Sequence, residues 1–245
     1  MRVKFAVLVL VLAVGVLCAA CTSGTSQAPA AVGRTQPPAE SVQPSPTVET
    51  AWFWSDSNKE APLFRMVSFI GNPGPKALTG VELEWVAYDA SNSIVGSHKR
   101  AMSAIPPGAK IPYVAGAGSA NLSGIPARAE LRVVEKGSFV DTAAPAFKVT
   151  NIAFKKSDFN LYKGAKGVYD VTAKVTTGPE EVASANIGGL VVLKDQAGAV
   201  VGGEIWMPEN LPEQVPPGTT FTMQITLVVV TAKPASAEVF ATQEP

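Results

Sequence analysis

The strongest constraint on the fold is an internal repeat in the part of the chain that follows residue 50. A strand that ends at Asp89 leads through a short polar turn into an apolar strand, and the same order recurs at Asp195. Each copy later contains a Pro-Pro-Gly segment, which includes Pro107-Gly108 in the first and Pro217-Gly218 in the second. A repeat of this kind indicates that one supersecondary unit is used twice.

The residue pattern within each copy is typical of antiparallel β-structure. The stretch Val81–Trp85 alternates apolar and acidic side chains, a period of two that indicates a strand with one buried face. The Pro-Gly dipeptides suit type II turns, because proline presets φ and glycine accepts a positive φ. Convincing helical periodicity is absent after the N-terminal apolar run. The sequence therefore predicts an all-β fold of two tandem, small antiparallel β-sandwich domains.

Landmarks of the repeat place the domain boundaries. We predict the first domain over residues 51–137 and the second over 147–245, with a connector at 138–146. Near the domain ends, Ala129-Glu130-Leu131 aligns with Ala237-Glu238-Val239. If the copies are separate domains, a fragment that ends at residue 137 is expected to fold alone.

The strand Trp85–Asp89, its turn, the apolar Ile94–Gly96 and the later Pro-Pro-Gly together resemble the FxLYD-type extracellular domain. In the second copy the equivalent strand is Val191–Asp195, and Gly198 lies at the turn. The resemblance implies an immunoglobulin-like sandwich on a bacterial surface protein. That family has no shared catalytic residues to carry over.

The N-terminal residues have the features of an export signal. Arg2 and Lys4 precede the uncharged run Phe5–Ala20, which is shorter than the roughly 20 residues of a spanning helix. The run ends in Ala19-Ala20-Cys21, which resembles the lipobox of bacterial lipoproteins. The resemblance implies a signal peptide over residues 1–20 and acylation of Cys21 with diacylglycerol and palmitate-type chains. An ordinary secretory signal that is cleaved nearby is the alternative.

The segment after the predicted lipidation site, residues 21–50, is rich in Pro, Ser and Thr. It has too little apolar surface to offset the entropy of ordering, so we expect a disordered tether. The anchored protein would then stand on the extracytoplasmic face of the cell membrane. Cys18 leaves with the signal and Cys21 carries lipid, so no disulfide is expected in the mature chain. A formal net charge of zero argues against a nucleic-acid partner.

Few side chains offer chemistry for catalysis or metal binding. His98 is the single histidine, and with Met102 it supplies too few ligands for a copper site. The segment that begins at Asp56 starts like a calcium loop but lacks its glycine and final glutamate. Glu82 and Glu84 are expected on the wet face of a strand. We therefore predict no catalytic, cofactor or metal residues.

Two surfaces are candidates for binding. Trp52, Phe53 and Trp54 can stack on wall sugars or anchor a partner, but alternation favours Trp52 and Trp54 pointing inward with Phe53 outside. The second surface is a lysine-rich segment that suits anionic wall polymers or lipid headgroups, or else is an ordinary solvated surface. Its lysines are Lys155, Lys156, Lys163, Lys166 and Lys174.

These observations together predict a non-catalytic, lipid-anchored protein of the cell surface. Its expected role is that of an interaction or scaffolding module for an envelope protein or a cell-wall component. The alternative is a lipoprotein that binds cell-wall glycan or an anionic wall polymer through one of the two surfaces.

Overall fold

A computed structural model confirms the predicted all-β, antiparallel fold. The structure describes residues 45–56, 58, 60–102, 104–141, 147–159, 162–208 and 210–243, which belong to one compact unit. Within these residues the regular elements are β-strands and two short 3₁₀ turns. The predicted signal peptide, Cys21 and the tether up to residue 44 lie outside the described residues.

The first half of the unit, residues 45–141, is a sandwich of two three-stranded sheets. One sheet has the order β1-β2-β5 and the other the order β4-β3-β6, and a core that includes Phe64 and Leu83 lies between them. The strands are β1 (Thr47–Asp56), β2 (Leu63–Gly71), β3 (Ala77–Tyr88), β4 (Ile94–Ala101), β5 (Lys110–Ala117) and β6 (Arg128–Val140).

The second half, residues 147–243, also has two groups of three strands, but here they are joined into one six-stranded sheet. The strand order of this sheet is β14-β10-β11-β13-β8-β7. A single residue pair, Gly202 opposite Val230, joins β11 to β13, and the sheet encloses a second core that includes Val191 and Met223. The two short strands β9 and β12 pair with each other. The strands are β7 (Lys148–Lys156), β8 (Gly167–Thr176), β9 (Val182–Ala183), β10 (Ile187–Lys194), β11 (Val200–Trp206), β12 (Gln214–Val215), β13 (Thr220–Val230) and β14 (Ser236–Gln243).

The turns of the sequence repeat have the same hydrogen bonds in both halves. The carboxylate of Asp89 accepts bonds from the backbone N–H groups two and four residues later, at 2.9 and 2.8 Å. Asp195 accepts the equivalent bonds, both at 2.9 Å. Asn92 and Gly198 have φ of 68° and 82°, the left-handed conformation that Asn and Gly tolerate best.

Both Pro-Pro-Gly segments form the expected turn. The residue after the glycine donates to the carbonyl of the first proline, at 3.2 Å to Pro106 and 3.3 Å to Pro216. Gly108 and Gly218 have φ of 65° and 70°, as the third position of a type II turn requires. Because the turns are the same, the strands that they connect are equivalent in the two halves. The sheet β1-β2-β5 corresponds to β7-β8-β13, and the sheet β4-β3-β6 corresponds to β11-β10-β14.

Strand register also follows the repeat. Leu131 lies opposite Trp85 in the first half, and Val239 lies opposite Val191 in the second. The strands nevertheless extend beyond the predicted boundaries, because β1 begins at Thr47 and β6 ends at Val140. The apolar side chains in these extensions, Val48 and Phe139, pack against the first core. That the two halves fold as separate domains stays a prediction.

Candidate functional site

The two halves meet through the outer faces of two sheets. Alternation along β2 and β5 directs one set of side chains into the first core and the other set, which includes Val67 and Val114, outward. This outward set packs against Val192 and Val229 of the second half and forms a third apolar cluster. The sheet β1-β2-β5 is therefore covered on both faces.

The aromatic segment of β1 faces the second half. Trp52 and Trp54 are only 7% and 5% exposed and belong to the cluster between the halves. Phe53 faces the first core, where its ring centroid lies 6.0 Å from that of Phe64. The expectation that Phe53 points outward is wrong, because both faces of β1 are covered and the larger rings fill the contact between halves. Buried rings offer no platform for sugars.

Polar contacts complete the junction between the halves. Trp52 Nε1 donates to Thr231 Oγ1 at 3.0 Å, and Arg65 Nε lies 2.7 Å from Glu204 Oε2. Trp54 packs edge-on against Tyr162 with a centroid distance of 5.7 Å. Its buried Nε1 has no hydrogen-bond partner among the described residues.

A cleft of about 380 Å³ opens beside this junction. Its walls come from both halves: β5 and the segment after β4 on one side, and the start of β7 with β10 and β14 on the other. The larger apolar side chains that line it are Met102, Ile111, Tyr113, Phe147, Leu190 and Phe240. Small-molecule sites commonly have this size, this apolar lining and this position between two packed units.

The polar groups of the cleft are few. The lining residues with polar side chains are Arg100, Tyr113, Thr242 and Gln243. Among the described lining residues there is no carboxylate. The adjacent cation on β4, Lys99, lies 3.7 Å from Glu82 and is not among the lining residues. The cleft therefore has a mostly apolar wall with few polar side chains.

All five lysines of the second predicted surface are exposed, and they lie on β7, on β8 and in the segment between these strands. Lys155 and Lys174 share the outer face of β7-β8-β13, where Lys174 Nζ donates to Thr222 Oγ1 at 2.6 Å. Lys156 takes the next, alternate position on β7. Lys163 and Lys166 lie in the segment between β7 and β8.

Polar side chains occupy the two outer faces that are not covered. Thr172 lies opposite Gln224 on β8 and β13, whereas Val67 lies opposite Val114 at the equivalent, covered position of the first half. Glu84 lies opposite Arg132 on β3 and β6, whereas Leu190 lies opposite Phe240 at the equivalent position of the second half. These residue differences distinguish the open outer faces from the outer faces that pack between the two halves.

The open face of β3 and β6 carries a hydrogen-bonded cluster around Tyr88. Its hydroxyl donates to Glu130 Oε1 at 2.9 Å, Arg132 contacts both groups, and the Arg128 guanidinium lies 3.7 Å from the ring centroid. The hydrogen bond from Tyr88, followed by that from Arg132, lowers the pKa of Glu130. Burial, followed by the bond to Glu130, raises the pKa of Tyr88.

The remaining side chains considered for chemistry stay apart in the structure. His98 is exposed and its ring centroid lies 6.3 Å from that of Trp85, whereas Met102 lines the cleft. Nowhere in the described ranges do three or more His, Cys, Asp or Glu side chains form a group that suits a metal ion. The part of the chain that the structure describes contains no helix with the length and apolarity to cross a membrane.

Comparison of the chain with protein-family models and with curated proteins finds no match. The resemblances to the FxLYD-type domain and to the lipobox therefore stay predictions. The cleft itself was not predicted from the sequence. Its lining residues are distant along the chain, and each one has the ordinary pattern of a strand or turn.

Proposed function

We propose that this chain is a non-catalytic, lipid-anchored interaction module of the cell envelope, which engages an envelope component in the cleft between its halves. The observation that carries the proposal is the apolar cleft of about 380 Å³ with walls from both halves. Tight packing is the rule inside proteins, so an open apolar space of this size beside a junction favours an external occupant. Anchorage through Cys21 would keep the cleft at the membrane surface.

Site-specific photo-crosslinking in intact cells tests this function. A benzophenone amino acid replaces Ala104, which lines the cleft, in the full chain. The matched control carries the same group at Ala120, an exposed residue of a 3₁₀ turn that is not among the lining residues. We expect a discrete adduct from position 104 alone. Equal labelling from both positions, or none from position 104, would contradict a role for the cleft.

Membrane anchorage is tested separately in the same cells. Cys21→Ala removes the acylated thiol, so the variant is expected to leave the membrane fraction. Retention of this variant in the membrane would overturn lipidation at Cys21 while leaving the cleft proposal intact.

A second candidate function is binding of an anionic wall polymer or glycan on the outer face of β7-β8-β13. The observation that favours it is the open, polar sheet face that Lys155 and Lys174 share. The test is co-sedimentation of the protein with purified cell wall. Loss of co-sedimentation in the double variant Lys155→Gln/Lys174→Gln would support this function. Lys163→Gln/Lys166→Gln is the matched control, because it removes the same charge from the β7–β8 segment. Equal effects of the two double variants would leave only non-specific charge attraction.

A further inference from the structure

We infer that one end of the second half is a docking surface for a lipid bilayer with anionic headgroups. The surface combines the exposed ring of Phe159 with four exposed lysines, Lys156, Lys163, Lys166 and Lys233. We name these five residues the lysine end. The inference goes beyond the proposed function, because it requires neither the cleft nor an occupant of the cleft.

The sheet topology brings the lysines to one end of the second half. Lys166 donates its backbone N–H to the Val230 carbonyl at 2.8 Å. This bond holds the segment 157–166, which connects β7 to β8, beside the segment 231–235, which connects β13 to β14. Lys233 is exposed on the second segment. The fold therefore adds its charge to those of the lysines at and after the end of β7.

The lysine end carries an excess of positive charge. None of its four lysines forms an ion pair with a described residue, whereas Lys194 of the same half is paired with Glu238. The carboxylates on the connections at this end are Asp158 and Asp195. Asp195 already accepts two backbone N–H groups of its own turn. The four lysines therefore outnumber the carboxylates beside them, and the surface is complementary to anions.

The type of cation favours a layer of anionic headgroups over a single bound anion. Residues 147–243 contain eight lysines and no arginine. Arginine is the side chain whose planar fork matches the two oxygens of one phosphate or carboxylate. Lysine is a compact charge that needs no such geometry, and near an anionic membrane surface each one strengthens binding by about fivefold.

The exposed aromatic ring favours a bilayer over a soluble polyanion. Phe159 is 43% exposed and lies three residues after Lys156. Surfaces that lie in a membrane interface combine apolar rings, which enter the boundary of the acyl chains, with lysines whose stems extend to the headgroups. An anionic wall polymer has no apolar phase to receive the ring. The combination of Phe159 with lysines on both sides of it therefore favours lipid.

Contacts with the first half hold the lysine end in place. Tyr162 packs edge-on against Trp54 with a centroid distance of 5.7 Å. The backbone N–H of Lys163 donates to Asp56 Oδ2 at 3.4 Å. These contacts use a ring and a backbone group, so the Lys163 side chain stays exposed. A surface that is already ordered loses less conformational entropy on docking.

The length of chain before β1 permits this end to reach the membrane. β1 begins at Thr47 and ends at Asp56, beside Lys163, a distance of about 30 Å in an extended strand. The chain from Cys21 to Thr47 spans at most about 90 Å when it is fully extended. An anchor at Cys21 is therefore compatible with contact between the lysine end and the same membrane.

Fluorescence quenching in vesicles tests this inference with the full chain. A dansyl amino acid replaces Phe159, and the chain is inserted through its N-terminal region into vesicles of phosphatidylcholine alone or mixed with phosphatidylglycerol. Lipids with a nitroxide on the acyl chain are the quenchers. The matched control carries the same group at Met207, which is 53% exposed and follows the far end of β11. We expect strong quenching at position 159 in the anionic vesicles alone, and little at position 207.

Two double variants locate the charge that drives docking. Lys163→Gln/Lys166→Gln is expected to lower the ratio of docked to free protein by at least about tenfold. Lys148→Gln/Lys174→Gln removes the same charge from the other end of β7 and β8, where Lys148 lies opposite Thr176, and should change this ratio little. Salt at about 1 M, where charges are screened beyond about 3 Å, should also release the probe. Circular dichroism and thermal unfolding check that each variant is folded.

The outcomes distinguish the bilayer from other partners. Equal quenching at positions 159 and 207, or equal effects of the two double variants, would overturn the lysine end as the docking surface. Equal quenching in phosphatidylcholine alone would overturn the role of anionic headgroups. A spectral shift at position 159 that is as large with soluble polyphosphate as with vesicles would assign the surface to a polyanion instead. None of these results changes the adduct expected from position 104, so the proposed function fails or holds separately.

Discussion

Arg65 on β2 and Glu204 on β11 form an ion pair that joins the two halves. Their Nε and Oε2 atoms are 2.7 Å apart, and the side chains are only 23% and 14% exposed. Charge-assisted hydrogen bonds are stronger than neutral ones, and partial burial reduces their screening by salt. This pair therefore acts with the apolar cluster to fix the halves and, with them, the shape of the cleft.

Removal of one partner of this pair is expected to destabilise the protein. Glu204→Gln leaves Arg65 without its carboxylate, and we expect a loss of about 1–3 kcal/mol in the free energy of unfolding by urea. The control is Lys110→Gln, because Lys110 and Glu49 form an exposed pair at 2.5 Å, for which about 0–1 kcal/mol is typical. An equal loss from both variants would contradict a special role for the buried pair.

The two buried tryptophans of β1 are expected to respond differently to removal of the indole N–H. Trp52→Phe loses the bond to Thr231, whereas Trp54→Phe removes a buried donor that has no partner among the described residues. We expect Trp52→Phe to cost about 1 kcal/mol more than Trp54→Phe. Urea unfolding followed by far-UV circular dichroism measures both. A larger cost for Trp54→Phe would show that its N–H is satisfied in solution.

Gly203 allows β11 to approach the first half closely. A Cβ atom at this residue would lie 2.4 Å from Val67 Cγ2 and 3.0 Å from the Val191 carbonyl oxygen. We expect Gly203→Ala to cost about 1–3 kcal/mol, as overpacking does, and Val67→Ala to restore part of it. Thermal unfolding measures both. Gly118→Ala is the control, because nothing lies within 4 Å of a Cβ there; an equal effect would refute close approach as the cause.

Titration of Glu130 is expected to report its bond to Tyr88. The hydrogen bond lowers the pKa of Glu130 in the folded protein, so its contribution to stability is present above the unfolded pKa and is lost as pH falls through the folded pKa. Tyr88→Phe should raise the Glu130 midpoint in an NMR titration of the carboxyl carbon. Tyr169→Phe, a tyrosine in the other half, should leave it unchanged. An unmoved midpoint in Tyr88→Phe would exclude this bond.

A fragment that spans residues 45–141 is expected to fold, because one complete core lies within it. A fragment that ends at Gly137 loses Phe139, which packs against that core, and should unfold at a lower temperature. Both fragments expose Val67 and Val114, so we expect self-association on size exclusion. Circular dichroism melts compare the two, and a disordered longer fragment would mean that the halves share one folding unit.

Local features of the fold could be predicted because short segments determine them. The turn at Asp89 depends on one carboxylate and the N–H groups just after it, so the same residues give the same turn at Asp195. The Pro-Gly turns are equally local. Together with alternation in β3, they predict antiparallel strands and their order of appearance.

The contact between the halves could not be predicted from the same patterns. Alternation shows that Trp52 and Phe53 lie on opposite faces of β1, but it does not show which face meets the first core when both are covered. β6 also runs past the predicted boundary at residue 137, because the apolar pair Phe139-Val140 continues the strand after Lys136, Gly137 and Ser138, which look like a turn in the sequence. The cleft combines residues as distant as Arg100 and Phe240, and no local signal connects them.

The junction between the halves is heterologous, since each half contributes a different sheet, and contacts of that kind can add further units without limit. The open faces prevent such growth. On the open face of the first half, Glu84 and Arg132 occupy the positions that Leu190 and Phe240 occupy in the second half. On the open face of the second half, polar residues occupy the positions of the valine pair in the first half. They act as the polar caps of a two-unit array. A chain built this way can reach a high local concentration without forming filaments.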